Sequence, residues 1–173
     1  MNSDALELSA DKVTTGVSMG QEIERKYLVK DSSWETLAKG IRYCQGYLST
    51  AKERTVRVRT FENKGFLTIK GIAVGISRAE YEYEIPVSDA ETILKTLCEG
   101  PLIDKKRYKI SHAGLIWEVD EFFGDNAGLV VAEVELSSES QKIDLPAWIG
   151  EEVTGDLRYS NSNLTKNPYK NWK

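Results

Sequence analysis

Glu22, Glu24 and Lys26 fall at alternate positions of this chain, as do Arg57 and Arg59, Glu80, Glu82 and Glu84, Lys105 and Arg107, Glu118 and Asp120, and Glu133 and Glu135, with Lys70 standing alone. A spacing of two puts side chains on one face of a β-strand. The residues between them are apolar or aromatic, among them Ile23, Val58, Ile69, Tyr81, Trp117 and Val134. Each such segment therefore has one ionic face and one apolar face. The six bases Lys26, Arg57, Arg59, Lys70, Lys105 and Arg107 exceed what one carboxylate or sulfate needs and suit a chain of phosphoryl groups, arginine adding a fork matched to phosphate oxygens. The acids would repel phosphate directly. Clustered carboxylates do hold hard divalent cations, however, and Mg²⁺ commonly takes one or two of them together with substrate phosphate oxygens. Acids and bases make sense together as a site for a metal-bridged polyphosphate.

The elements that must position these side chains are strands. Alternation predicts eight of them, over 21–30, 42–49, 54–61, 66–71, 78–86, 104–111, 115–123 and 129–136. Turn-forming clusters at Glu62–Gly65, His112–Gly114 and Gly124–Gly128 join neighbours as antiparallel hairpins. Ser32 with Glu35, and Ser88 with Glu91, have capping-box spacing and predict helix starts. The second helix is expected to bury Ile93, Leu94, Leu97 and Cys98 and to stop at Gly100-Pro101. A weaker helix is expected after Ser137, ahead of Pro146–Ile149, and a short one between Asp156 and Asn167.

Two architectures use such strands. An open antiparallel sheet would show its charged face to water. A closed barrel would enclose the charges and cover its apolar outside with helices, an eight-stranded ring being wide enough for one small ligand. Three features favour closure: the alternate positions are almost purely ionisable, the signs come in blocks by strand, and the strand number fits. Enclosed charge is costly unless matched by partners, water, metal or ligand, so a barrel of this kind requires a highly charged guest. Tyr81, Tyr83 and Trp117 are expected in the core between barrel and helices, and Glu84 at the mouth.

Composition narrows the function classes. The 173 residues, 40% hydrophobic, suffice for one domain, expected over 19–173 behind a flexible polar leader at 1–18. A net charge of −4 argues against nucleic acid and anionic membrane as partners. Cys44 and Cys98 lack metal or redox spacing and fit a reducing, cytoplasmic setting. No apolar run is long enough to span a bilayer. Gly71–Gly75 lacks the Lys and Ser/Thr of a phosphate-binding P-loop, and no zinc-protease or nucleophile-elbow motif is present. His112 reads as a solvated turn residue.

Glu22-Ile23-Glu24-Arg25-Lys26 matches the ExExK signature of the CYTH superfamily, the triphosphate tunnel metalloenzymes. Thr55–Arg59 resembles that family's RxR strand, Leu67–Lys70 its single-lysine strand and Lys105–Tyr108 its KxRY strand. Glu80-Tyr81-Glu82, Glu118-Val119-Asp120 and Glu133-Val134-Glu135 resemble its acidic strands, and Asp156–Tyr159 its closing segment. The resemblance runs over residues 20 to about 165, in the family's order. It implies an α+β, β-dominated fold: an eight-stranded antiparallel tunnel with peripheral helices that cleaves phosphoanhydride bonds with Mg²⁺ or Mn²⁺. Arg57, Arg59, Lys70, Lys105 and Arg107 would hold the phosphates, with Arg158 capping one end and Lys26 at the terminal phosphoryl or leaving group. Glu22, Glu24, Glu118, Glu133 and Glu135 would hold metal, and Glu80, Glu82 and Asp120 would position the attacking water. The short chain is most similar to bacterial members acting on inorganic tripolyphosphate. Nucleotide-directed members (adenylate cyclase, nucleoside or thiamine triphosphatase) and a non-catalytic polyphosphate-binding module are the alternatives. A monomer or homodimer is expected.

Overall fold

A computed structural model of the chain describes residues 20–172; the leader expected over 1–18 lies outside the described residues. The strands are β1 (Gly20–Val29), β2 (Ile41–Ser49), β3 (Arg54–Phe61), β4 (Lys64–Gly71), β5 (Ser77–Ile85), β6 (Glu99–His112), β7 (Leu115–Phe122), β8 (Val130–Glu135) and β9 (Ile149–Glu152). Their order is β5-β4-β3-β2-β6-β7-β8-β1, and pairing of β1 with β5 closes the ring of eight. Every pairing is antiparallel, and β9 lies outside the ring on β1, with Tyr27 opposite Glu152.

Register settles which face points inward, because residues directly opposite across an antiparallel pair project to the same side. Lys26 faces Glu133, Glu133 faces Glu118, and Arg107 faces Asp120. Tyr43 faces Lys105, Gln45 faces Arg59, Arg57 faces Thr68, Thr68 faces Glu82, and Lys70 faces Glu80. The ionic rows therefore share one lumen all the way round. The apolar rows point outward, where Tyr27, Tyr108, Trp117, Val119, Ala132 and Val134 pack beneath Trp34, Leu136, Trp148 and Ile149. Trp34 meets Tyr108 edge-on at 4.9 Å, and Trp148 meets Trp117 at 5.9 Å. The main hydrophobic core thus lies between the barrel wall and its covering segments.

One end of the lumen is floored. Ile103, Phe122 and Val131 have inward register but are apolar and at most 2% exposed, and they pack with Leu129 and Leu164 against Tyr159, Tyr169 and Trp172 of the C-terminal segment. At the other end Lys64, Glu84, Lys109 and Glu135, also inward in register, are exposed and mark the mouth.

The covering segments depart from the predicted helices. No helix follows Ser32: Asp31 takes hydrogen bonds from the backbone N–H and hydroxyl of Ser33 and holds the segment in turns, from which Trp34 reaches the core. Helix α1 (Val87–Thr96) starts behind Pro86 without any side-chain cap, so Ser88 lies inside it. It ends before Gly100-Pro101, which already belongs to β6. Its buried residues are Ala90 and Leu94, with Ile93 and Cys98 packed alongside, whereas Leu97 is exposed. After Ser137 the chain makes turns and then β9 where a helix was expected; the short tail helix does form, as α2 (Asn161–Leu164) with Ser160 as its cap. Trp117 is buried as expected. Tyr81 and Tyr83 are exposed, because α1 covers β3 and β4 and leaves the outside of β5 bare. His112 ends β6 half-buried and is no free turn residue.

Candidate active site

Each ionic strand contributes its alternate residues to a lattice of opposite charges inside the barrel. Lys70 of β4 lies 2.9 Å from Glu22 and 2.7 Å from Glu80. Arg57 and Arg59 of β3 share Glu82, at 3.3 and 2.9 Å, and the Thr68 hydroxyl donates to the same carboxylate. Lys26 lies 2.8 Å from Glu133 and 3.7 Å from Glu24. Arg107 binds Asp120 at 2.6 Å, Glu133 at 3.0 Å, and Glu118. Lys105, fully buried, reaches Asp120 at 2.5 Å.

Burial and pairing compete at every group. Burial alone would raise the Glu22 and Glu133 carboxyls, but Lys70 and Arg78 hold the first, and Lys26 and Arg107 the second, well below the usual carboxylate range. For Glu24 burial prevails, reinforced by the charge of Glu133, and its carboxyl is pushed up to about 7. Burial likewise opposes the charge of Lys26, yet Glu133 and Glu24 hold its ammonium protonated well beyond its ordinary range.

Backbone register sets acids against acids at the mouth side of the lumen: Glu24 is directly opposite Glu135, and Glu118 directly opposite Glu133. Like charges so placed are destabilising. Among the described residues, no three acidic side chains converge into a ready-made cation cage, since each leans toward a base. Their oxygen-only donor set and mutual repulsion suit a hard divalent cation.

The structure brings Glu22, Glu24, Lys26, Arg57, Arg59, Lys70, Glu80, Glu82, Lys105, Arg107, Glu118, Asp120 and Glu133 into the lumen, with Glu135 at its exposed rim. Arg158 is not among them. It is exposed at the C-terminal segment, bound to Asp156 at 2.6 Å and lying over Trp172. Two contributions escaped the sequence reading. Arg78 enters the lumen and binds Glu22 at 2.5 Å, a cation whose signal was its place two residues before Glu80 in the same alternating row. Strand β2 adds Tyr43, Gln45 and Tyr47, which alternate as the charges do but carry none.

The CYTH domain profile matches residues 20–169. The chain belongs to the CYTH family. It is 58% identical over 155 residues to a protein named inorganic triphosphatase from Acetivibrio thermocellus, covering 90% of this chain and 99% of that one. It is 40% identical over 149 residues to another of that name from Nitrosomonas europaea, covering 83% and 95%. A crystal structure of an inorganic triphosphatase superposes with a TM-score of 0.58 at 35% identity, covering 83% of this chain and 93% of that one.

In this CYTH tunnel, Lys105 yields a prediction about pH. Burial, then the neighbouring charge of Arg107, brings its amine down to about 8, although Asp120 and Glu133 face it and oppose the shift. Asp120 is shared with Arg107, so Lys105 is only partly compensated. Because the folded value lies below the unfolded one, the charged amine weakens the fold below pH 8, and that penalty fades as pH rises from about 8 toward 10.5. Affinity for a polyanion should move the other way, declining as pH rises through 8. Measuring KM across neutral and alkaline pH checks this, and Lys105→Arg should abolish that limb, since arginine keeps its charge.

Proposed function

We propose that this protein hydrolyses inorganic tripolyphosphate to pyrophosphate and phosphate, with a divalent cation, inside the barrel. The observation that carries the reading is the convergence of the basic rows with opposed acidic pairs in one floored lumen. Arg57, Arg59, Lys70, Lys105 and Arg107 would exchange their carboxylate partners for phosphate oxygens, which keeps each of these buried bases matched as the guest enters. Arg78 belongs with this set. Lys26, protonated and beside Glu133, would meet the terminal phosphoryl group or the leaving oxygen.

Glu22, Glu24, Glu118, Glu133 and Glu135 would hold Mg²⁺ or Mn²⁺. Such an ion, when bound, neutralises charge developing along the phosphates. Glu80, Glu82 and Asp120, on the neighbouring walls, would orient the attacking water for in-line displacement. There is little covalent chemistry for the chain to perform, so catalysis rests on positioning and charge stabilisation. Arg158, outside the lumen, is given no role at the phosphates.

A small-molecule substrate and a reducing, cytoplasmic setting fit the rest of the chain. Cys44 and Cys98 are both free thiols, and among the described residues no helix is long and apolar enough to cross a membrane. The test is product identification after incubation with tripolyphosphate, pyrophosphate, ATP, thiamine triphosphate and long polyphosphate, each with Mg²⁺, Mn²⁺ or chelator. Phosphate plus pyrophosphate from tripolyphosphate, abolished by chelator, is the expected result. Cyclic AMP from ATP would assign a nucleotide-directed enzyme, and binding without products a polyphosphate-binding module.

A further inference from the structure

Strand β2 differs from the other seven of the ring in giving the lumen only uncharged side chains, Tyr43, Gln45 and Tyr47. Gln45 is completely buried, its Nε2 donates to the Tyr47 hydroxyl at 3.1 Å, and its Oε1 has no partner. Its Cα stands opposite Ile103 of the floor on one side and Arg59 on the other. Tyr47 is 4% exposed and opposite Arg57, within the fields of Lys26, Arg78 and Glu133 across the lumen. Gly46 holds this arrangement close: a Cβ there would meet Cys98 Sγ at 2.6 Å, so only glycine lets the outer side of β2 settle under α1 and the start of β6.

Gln45 occupies the phenol oxygen as a donor, which leaves the Tyr47 O–H proton to be given away. Among the described residues it has no acceptor. A buried donor ringed by cations calls for an anionic oxygen. Resting on the tripolyphosphate reading, we propose that Tyr47 donates a hydrogen bond to a non-bridging phosphate oxygen near the floor of the tunnel, and that Gln45 is the positioning residue that aims it. Burial pushes the phenol up to about 12, so it stays a neutral donor throughout the working range. An uncharged donor beside Arg57, Lys26 and Arg78 binds phosphate without adding to the repulsion among those bases.

The test uses the full chain and tripolyphosphate itself. Tyr47→Phe removes one O–H and keeps the ring; KM for tripolyphosphate should rise about tenfold or more, the scale of a hydrogen bond to a charged group. Gln45→Met should give a smaller rise. The double variant should be no worse than Tyr47→Phe alone, because Gln45 acts through the phenol. Calorimetric binding in chelator should show the same ranking, with melting temperatures close to wild type. An unchanged KM in Tyr47→Phe, while the wild type still hydrolyses tripolyphosphate, overturns this inference alone. So do losses that add in the double variant and follow a lowered melting temperature. A wild-type chain that neither binds nor cleaves tripolyphosphate removes the inference together with the reading beneath it. Should Tyr47→Phe fail to fold, Gln45→Met decides by the same KM and binding measurements, an unchanged pair of values counting against.

Discussion

Glu24→Gln should reduce phosphate release by about three orders of magnitude while the protein melts near its wild-type temperature, a loss at least as large as the roughly 10²–10³ that follows removal of one preorganised charge-stabilising group. Glu24 is the acid best suited to this separation. Its cations stand off, Lys26 at 3.7 Å and Arg78 at 3.9 Å, and each keeps a closer carboxylate in Glu133 or Glu22, so an amide leaves no base stranded. What it removes is one of the carboxylates opposed across β1 and β8, and with it the oxygen ligation proposed there. Glu133→Gln would confuse the two effects, since Glu133 neutralises both Lys26 and Arg107. Phosphate release measured against metal concentration, beside thermal melts, gives the answer. Retained activity with an unchanged metal dependence would reject the metal assignment.

Asp120→Asn should do the opposite, unfolding the substrate-free protein more readily before it says anything about catalysis. Asp120 is 1% exposed and is shared by Lys105 and Arg107, so the amide leaves fully buried Lys105 without its carboxylate and takes one of three from Arg107. Breaking a buried pair in this way typically costs about 3–5 kcal/mol, which at about 2–4 °C per kcal/mol for a chain of this size lowers Tm by roughly 6–20 °C. Tripolyphosphate added in chelator should restore part of that loss, because phosphate oxygens supply the missing negative charge. Melting curves with and without the polyanion test both halves. An unchanged Tm would mean that Asp120 does not lock the two bases.

The barrel was legible because its charged and apolar rows obey a strict period of two, and only one register lets all the charged rows meet. Strand β3 was predicted at the observed residues, 54–61, and β2, β5 and β7 within a residue or so at each end. What failed were elements whose conformation is decided by distant contacts. The Ser32 segment has helix-start chemistry but only Trp34, Leu37 and Ala38 to bury, and Asp31 captures its first backbone donor instead. Strand β9 is too short to show a period and exists because β1 offers it a free edge beyond the point where β5 leaves. In the site, Gln45 and Tyr47 share the inward period of two but carry no charge, so nothing in their residue types sets them apart from an ordinary strand face. Arg158 was expected at one end because Asp156–Tyr159 resembles the family's closing segment, whereas its guanidinium binds Asp156 and lies over the indole of Trp172.

The aromatic packing of Tyr159, Tyr169 and Trp172 behind Ile103, Phe122 and Val131 makes the reaction chamber a cul-de-sac. Among the described residues that end offers no passage, so reactant and both fragments would share the mouth lined by Lys64, Glu84, Lys109 and Glu135, and departure of one would gate departure of the other. A long polymer can present only its tip, its inner links having no route past the blind wall. Any cleavage of such a polymer is then expected to trim its terminus, and product sizing after incubation with long polyphosphate checks this.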